Sequence, residues 1–193
     1  MNFEDYARAI VHDSITQHQA VLERCRDQLV PAIIEVGKVV KEAVTSGRKL
    51  MLCGNGGSAA DAQHIAAEFV GRYRKERPPL WAVALTTDTS ILTSLGNDYC
   101  FDEIFVRQIN AIARPGDVLI AISTSGNSAN ILRAVATAKE AGCATVGLLG
   151  RDGGSLAPMC DHTIIVPTDE TPRIQEMHIM IGHMLCEFME DAG

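Results

Sequence analysis

Two short polar stretches of this chain have the composition of anion cradles. Gly54-Asn55-Gly56-Gly57-Ser58 runs directly into a helical pattern. Its glycines let the backbone turn sharply and approach a ligand, and the helix start offers free N–H donors. Ser123-Thr124-Ser125-Gly126-Asn127-Ser128 does the same with four hydroxyls, an amide and a glycine. A helix cap needs one such residue, so the excess points to phosphate binding by neutral donors. Gly54-x-Gly56-x-x-Ala59 has the form of a dinucleotide fingerprint, but the first acid past the next strand is Asp88, too far on to hold a ribose, and a phosphate-loop lysine is missing. A third polar turn, Gly96-Asn97-Asp98, could bind sugar hydroxyls or orient a proton-transfer group, or serve simply as a turn.

Imidazole and carboxylate groups fall on two helical patterns. Over 58–72, Ala62, Ile65, Ala66, Phe69 and Val70 form an apolar stripe, and His64 and Glu68 lie nearly opposite it. At i, i+4 the two could grip one metal ion; as a solvated pair they would contribute only about 0.2–0.5 kcal/mol. Over 172–190, Ile174, Met177, Ile181, Met184 and Phe188 form the stripe, with Gln175 and His183 on the far side. That side also carries Ile179 and Cys186, so the helix is expected to be buried nearly all round, and a buried Gln and His need partners that a metal or substrate would supply. Gln175 and His183 are separated by roughly 12 Å of ideal helix. To share one ion the side chains must lean together, the helix must distort, or a neighbouring subunit must supply one of them. His178 reads as a structural or supporting histidine, and His12, His18 and His162 as surface residues.

The elements that must position these groups follow from periodicity. The first 46 residues read as helix, with Pro31 suited to a first turn. Short apolar runs then alternate with helical segments. Strands are expected at Leu50–Cys53, Trp81–Leu85, Val118–Ile122, Ala144–Leu148 and Thr163–Val166, with helices over 58–72, 88–95, 102–113, 128–141 and 172–190. Near-continuous apolar strands alternating with helices indicate a parallel sheet covered on both faces, a three-layer α/β sandwich preceded by an N-terminal helical hairpin. Ligands of such sheets sit beyond the carboxyl ends of the strands, where both cradles fall. Residues 1–193 read as one domain. A net charge of −7 argues against nucleic-acid binding, and no apolar run is long enough to span a membrane. Six scattered cysteines without a CxxC pair, and a start unlike a signal peptide, fit the reducing cytoplasm.

Cys53-Gly54-Asn55-Gly56-Gly57-Ser58 with His64 and Glu68, Gly71-Arg72-Tyr73-Arg74, Gly96-Asn97-Asp98, Ser123 to Ser128, and Arg173-Ile174-Gln175-Glu176 with His183 together resemble phosphoheptose isomerases along essentially the whole chain. The glycine and serine loops alone would indicate only the wider sugar-isomerase superfamily. The resemblance implies a five-stranded flavodoxin-like sheet, a homotetramer to which residues 1–46 contribute, and conversion of D-sedoheptulose 7-phosphate to D-glycero-D-manno-heptose 7-phosphate for ADP-heptose and the lipopolysaccharide core. It implies zinc, one per subunit, on His64, Glu68, Gln175 and His183. It also implies substrate contacts from Asn55, Gly56, Gly57, Glu68, Asn97, Asp98, Ser123, Thr124, Ser125, Ser128 and Gln175. Some members carry an acid where this chain has Thr171-Pro172. A ketose–aldose interconversion moves a proton between adjacent carbons and needs a base and an acid–base partner; Glu68 and His183 are the expected pair. The competing reading is a noncatalytic replication-initiator-associating protein on the same scaffold, whose members lack the carboxylate and the last-helix histidine; both are present here.

Overall fold

The computed structural model describes residues 2–190. Two helices, α1 (Phe3–Gln28) and α2 (Val30–Thr45), meet at Leu29. Asn2 caps α1 through its side chain, and Pro31 occupies the first turn of α2, where a missing N–H costs nothing. The second half of α1 is anchored by the buried Val21 and Cys25, and near its middle the Arg173 guanidinium donates to the Ser14 carbonyl. The first half leaves Phe3, Tyr6, Ile10, Val11 and Ile15 exposed.

After β1 (Leu50–Gly54) the chain alternates through α3 (Gly57–Val70), β2 (Ala82–Ala84), α4 (Thr89–Asp98), α5 (Val106–Ile112), β3 (Val118–Ser123), α6 (Ala129–Glu140), β4 (Ala144–Gly150), β5 (His162–Val166) and α7 (Thr171–Phe188). All five strands pair in parallel in the order β2-β1-β3-β4-β5. Alternate residues of each strand serve opposite cores. Leu50, Leu52, Ile120, Ile122, Val146 and Leu148 face α2, α3 and α7, while Met51, Cys53, Leu119, Ala121 and Leu149 face α5 and α6. The expected three-layer α/β sandwich is therefore the observed one.

Local departures have physical reasons. The 102–113 helix is split into a 3-10 turn at Phe101–Glu103 and α5. β2 is shorter than Trp81–Leu85 because it is an edge strand paired only with β1, leaving Trp81 outside it and 62% exposed. α3 stops at Val70, where the Arg77 guanidinium takes the Glu68 and Phe69 carbonyls. Val70 and Phe188, assigned to apolar stripes, are partly solvent-exposed. The six cysteines are free, and no helix among the described residues is long and apolar enough to cross a membrane.

Candidate active site

Strand order reverses between β1 and β3, and at such a switch point the loops leaving the two strands diverge and open a crevice. The Asn55–Ser58 and Thr124–Ser128 loops leave from that point. Gly56 starts α3 at φ +55° with no side-chain cap. Ser128 starts α6, and its hydroxyl does not cap the helix but lies 3.4 Å from Ser123 Oγ. Neither helix N-terminus is quenched by a side chain, the condition for anion binding there.

The hydroxyls divide their work. Ser123 Oγ accepts from Gly126 N–H and Ser125 Oγ from Asn127 N–H. Asn127 braces the loop, its amide reaching the Ser125 carbonyl and its Oδ1 accepting from Ser155 N–H. Gly126, at φ +65°, packs so tightly on the Gly153 carbonyl that any β-carbon would collide with it. Asn55 and Asn130 exchange reciprocal carboxamide bonds of 2.9 and 2.8 Å across the two loops.

α3 and α7 run side by side on one face of the sheet, in register over three turns. Gln175 is seated on Gly57, Ile65 on Gly182 and His64 on His183. Glu68 lies near Cys186, whose thiol is pushed up to about 12 by burial first and by the Glu68 charge next. From Gly57 to Glu68 and from Gln175 to Cys186 each helix climbs eleven residues, about 16 Å. His64 Nε2 is 2.9 Å from His183 Nε2 and 3.7 Å from Glu68 Oε1. Tyr73 stacks on the His183 ring with centroids 5.3 Å apart and planes 29° from parallel. The buried Glu190 carboxylate accepts from Arg74 and Lys75 N–H and so fixes the loop carrying Tyr73.

Three of the four expected metal ligands thus face one another within one chain. Gln175 does not join them; undistorted α7 seats it two turns away, beside the Asn55–Gly57 loop. Among the described residues no three His, Cys, Asp or Glu side chains form a ready metal-holding group. Two ligand atoms of a tetrahedral zinc stand about 3.3 Å apart, given zinc–ligand distances of roughly 2.0–2.1 Å. The observed 2.9 and 3.7 Å spacings each lie about 0.4 Å from that value, so modest side-chain rotations would suit the donors to a divalent ion.

Asn97 and Asp98 close α4, exposed and bonded to each other at 2.8 Å; among the described residues no hydrogen bond ties them to the two loops. His178 is fully buried, with Nε2 2.9 Å from the Leu149 carbonyl, and burial lowers its pKa to about 4. It is a neutral structural imidazole that binds α7 to β4. His18 departs from its surface reading, pairing with Glu176 at 2.8 Å to join α1 to α7. Sequence reasoning passed over Asn130, Gly182 and Asp61, and it quoted Tyr73 within a motif without giving it a role. Asp61 lies one turn before His64, and burial raises its carboxyl against the opposing pull of that histidine.

Comparison with known proteins agrees with this fold. Residues 15–150 match the family model described as the SIS domain. The chain is 53% identical to the phosphoheptose isomerase of a Nitratiruptor species over 94% of its length and 97% of that protein's. It is 59% identical to that of Rhodospirillum rubrum, over 84% of its length and 86% of that protein's. The solved phosphoheptose isomerase of Neisseria gonorrhoeae superposes with a TM-score of 0.89 at 43% identity, covering 94% of this chain and 97% of that one. Alike to these proteins in sequence and in fold over nearly its whole length, the chain belongs to the phosphoheptose isomerases, a family of sugar-phosphate isomerases.

Proposed function

We propose that the enzyme converts D-sedoheptulose 7-phosphate to D-glycero-D-manno-heptose 7-phosphate in the cytoplasm, supplying ADP-heptose for the lipopolysaccharide core. The observation that carries this reading is the meeting of Glu68, His64 and His183 across α3 and α7, the same helix pair that seats Gln175 on Gly57 at the uncapped start of α3. The phosphate rests on the Ser123–Ser128 loop, held by Thr124, Ser125 and Ser128 together with the first N–H groups of α6. Asn55, Gly56, Gly57 and Gln175 line the sugar, and Asn97 and Asp98 reach its hydroxyls. Glu68 takes a proton from C1 of the ketose, exchanges it with solvent while the enediol is bound, and delivers a proton to C2. His183 passes a proton between the two oxygens, so that atoms and charge balance across the enediol.

The donor set suits zinc, held by His64, Glu68 and His183 with Gln175 of the partner subunit as fourth ligand, since Gln175 of the same chain is two turns away. When bound, the metal polarises the carbonyl and stabilises the negative charge of the enediolate. Sharing of Gln175 requires at least a dimer, and the homotetramer we propose is supported by the exposed apolar residues of α1 and by an apolar cleft of about 510 Å³ among α1, α2 and α7, lined by Leu22, Ile33, Met180 and Met184.

Incubation of metal-loaded enzyme with sedoheptulose 7-phosphate, with and without a chelator, tests the reaction: aldose is expected only without chelator. Mixed oligomers of Gln175→Ala and His183→Ala subunits test the sharing of sites. Random assembly should restore about a quarter of the sites if Gln175 acts across subunits, and none if it does not.

A further inference from the structure

The Asn55–Asn130 pair joins the two ligand loops, yet nothing in the chemistry described so far uses Asn130. We propose that Asn130 is a positioning residue for the isomerase site, holding the loop after β1 in fixed relation to the loop after β3 through the Asn55 carboxamide. The inference rests on the reading that these loops hold a phosphorylated sugar.

Asn130 is the second residue of α6 and only 2% exposed. It both donates to and accepts from Asn55, one residue beyond the end of β1. Each carboxamide has two N–H donors and an oxygen with two lone pairs. The pair therefore occupies half of Asn55's capacity and leaves one N–H and one lone pair for a ligand, with the amide plane already set.

The helices do not need this bond to stay in place. α6 is anchored by Ile131, Ala134 and Val135, and α3 by Ala62, Ile65 and Phe69. What the pair fixes is the relative position of the β1 loop and the serine loop, 75 residues apart in sequence. Without it the loops must be ordered by the substrate itself, which weakens binding. Glu68, His64 and His183 stand on α3 and α7, whose mutual packing the pair does not touch. The bond therefore governs binding and leaves the chemical step alone.

Asn130→Ala is expected to raise KM about tenfold and to keep kcat within about twofold, the tenfold corresponding to about 1.4 kcal/mol. Loss of two neutral hydrogen bonds can supply that. In an Asn55→Ala background the same change should add nothing, because both substitutions remove one interaction. A fall in kcat at constant KM, unchanged kinetics, or a further tenfold rise in the Asn55→Ala background would each overturn the proposal. Asn130→Ser provides a second variant with the same expected split should the alanine variant fail to fold. Calorimetric titration with fructose 6-phosphate, a phosphosugar long enough to touch both loops, separates the proposal from the reading beneath it. Wild type inert toward sedoheptulose 7-phosphate removes that reading; a fructose 6-phosphate Kd about tenfold weaker in the variant still upholds the positioning role, and an unchanged Kd removes it.

Discussion

Replacing Gly182 by alanine tests how the two helices set the active-site spacing. The added β-carbon would lie 2.5 Å from Ile65 Cδ1 and 2.7 Å from Ile65 Cγ1. Carbon atoms settle at about 3.5–4.0 Å, so the helices must part by about 1 Å or Ile65 must leave its rotamer. Ile65 is completely buried, which makes the second escape costly. Overpacking of this kind destabilises by about 1–3 kcal/mol, while exchanging a mid-helix glycine for alanine returns about 0.8–1.0 kcal/mol. The net change in stability is then about 0–2 kcal/mol, too small to decide the matter. Activity decides it: His64 and His183 flank the contact, and parting the helices by about 1 Å would stretch their 2.9 Å approach toward 4 Å. A displacement of that size can lower kcat/KM about 100-fold. Steady-state kinetics, with zinc content by equilibrium dialysis, should register both losses. Ile65→Val, which removes the nearest carbon and conserves total volume, should restore part of the activity in the double variant. A folded Gly182→Ala enzyme with wild-type kcat/KM and zinc content would refute the spacing argument.

Two other perturbations have equally definite outcomes. Tyr73→Phe keeps the ring that stacks on His183 and should retain zinc affinity and turnover, whereas Tyr73→Leu should lose about tenfold in zinc affinity, as for loss of a ligand-orienting contact; equal behaviour of the two variants would contradict the stacking role. His178 titrates near 6.5 when unfolded and at about 4 when folded, so the unfolded state binds more protons in between and stability falls as pH drops from about 6.5 to 4. The loss should approach about 3 kcal/mol in urea unfolding at pH 7 against pH 4, and His178→Gln should flatten most of it.

The sheet and the two ligand loops were legible because their signals are local. Apolar runs such as Val118–Ile122 and glycine or serine clusters at strand ends reveal themselves within a few residues. His64, Glu68 and His183 were legible as groups lying off an apolar stripe, and the direction in which each faces followed from helical periodicity. The partners were not. Asn55 meets Asn130 across 75 residues and His64 meets His183 across 119, and no local pattern encodes such encounters. Gly182 was silent for another reason: within a helical pattern a glycine that admits a neighbour looks the same as one that merely weakens the helix. The seat of Gln175 also needed coordinates. Sequence spacing gave the 12 Å difficulty, and only the in-register packing of α3 and α7 placed Gln175 beside Gly57 and away from His183.

The claim at the centre of this account is that Glu68 moves the carbon-bound proton. Proton NMR of sedoheptulose 7-phosphate turnover in D2O, with zinc-loaded wild type and Glu68→Gln run side by side, addresses it directly. Wild type should form the aldose with deuterium appearing at C2, and the folded Glu68→Gln enzyme should form neither aldose nor deuterated ketose. Turnover by Glu68→Gln at a rate near wild type would contradict the account.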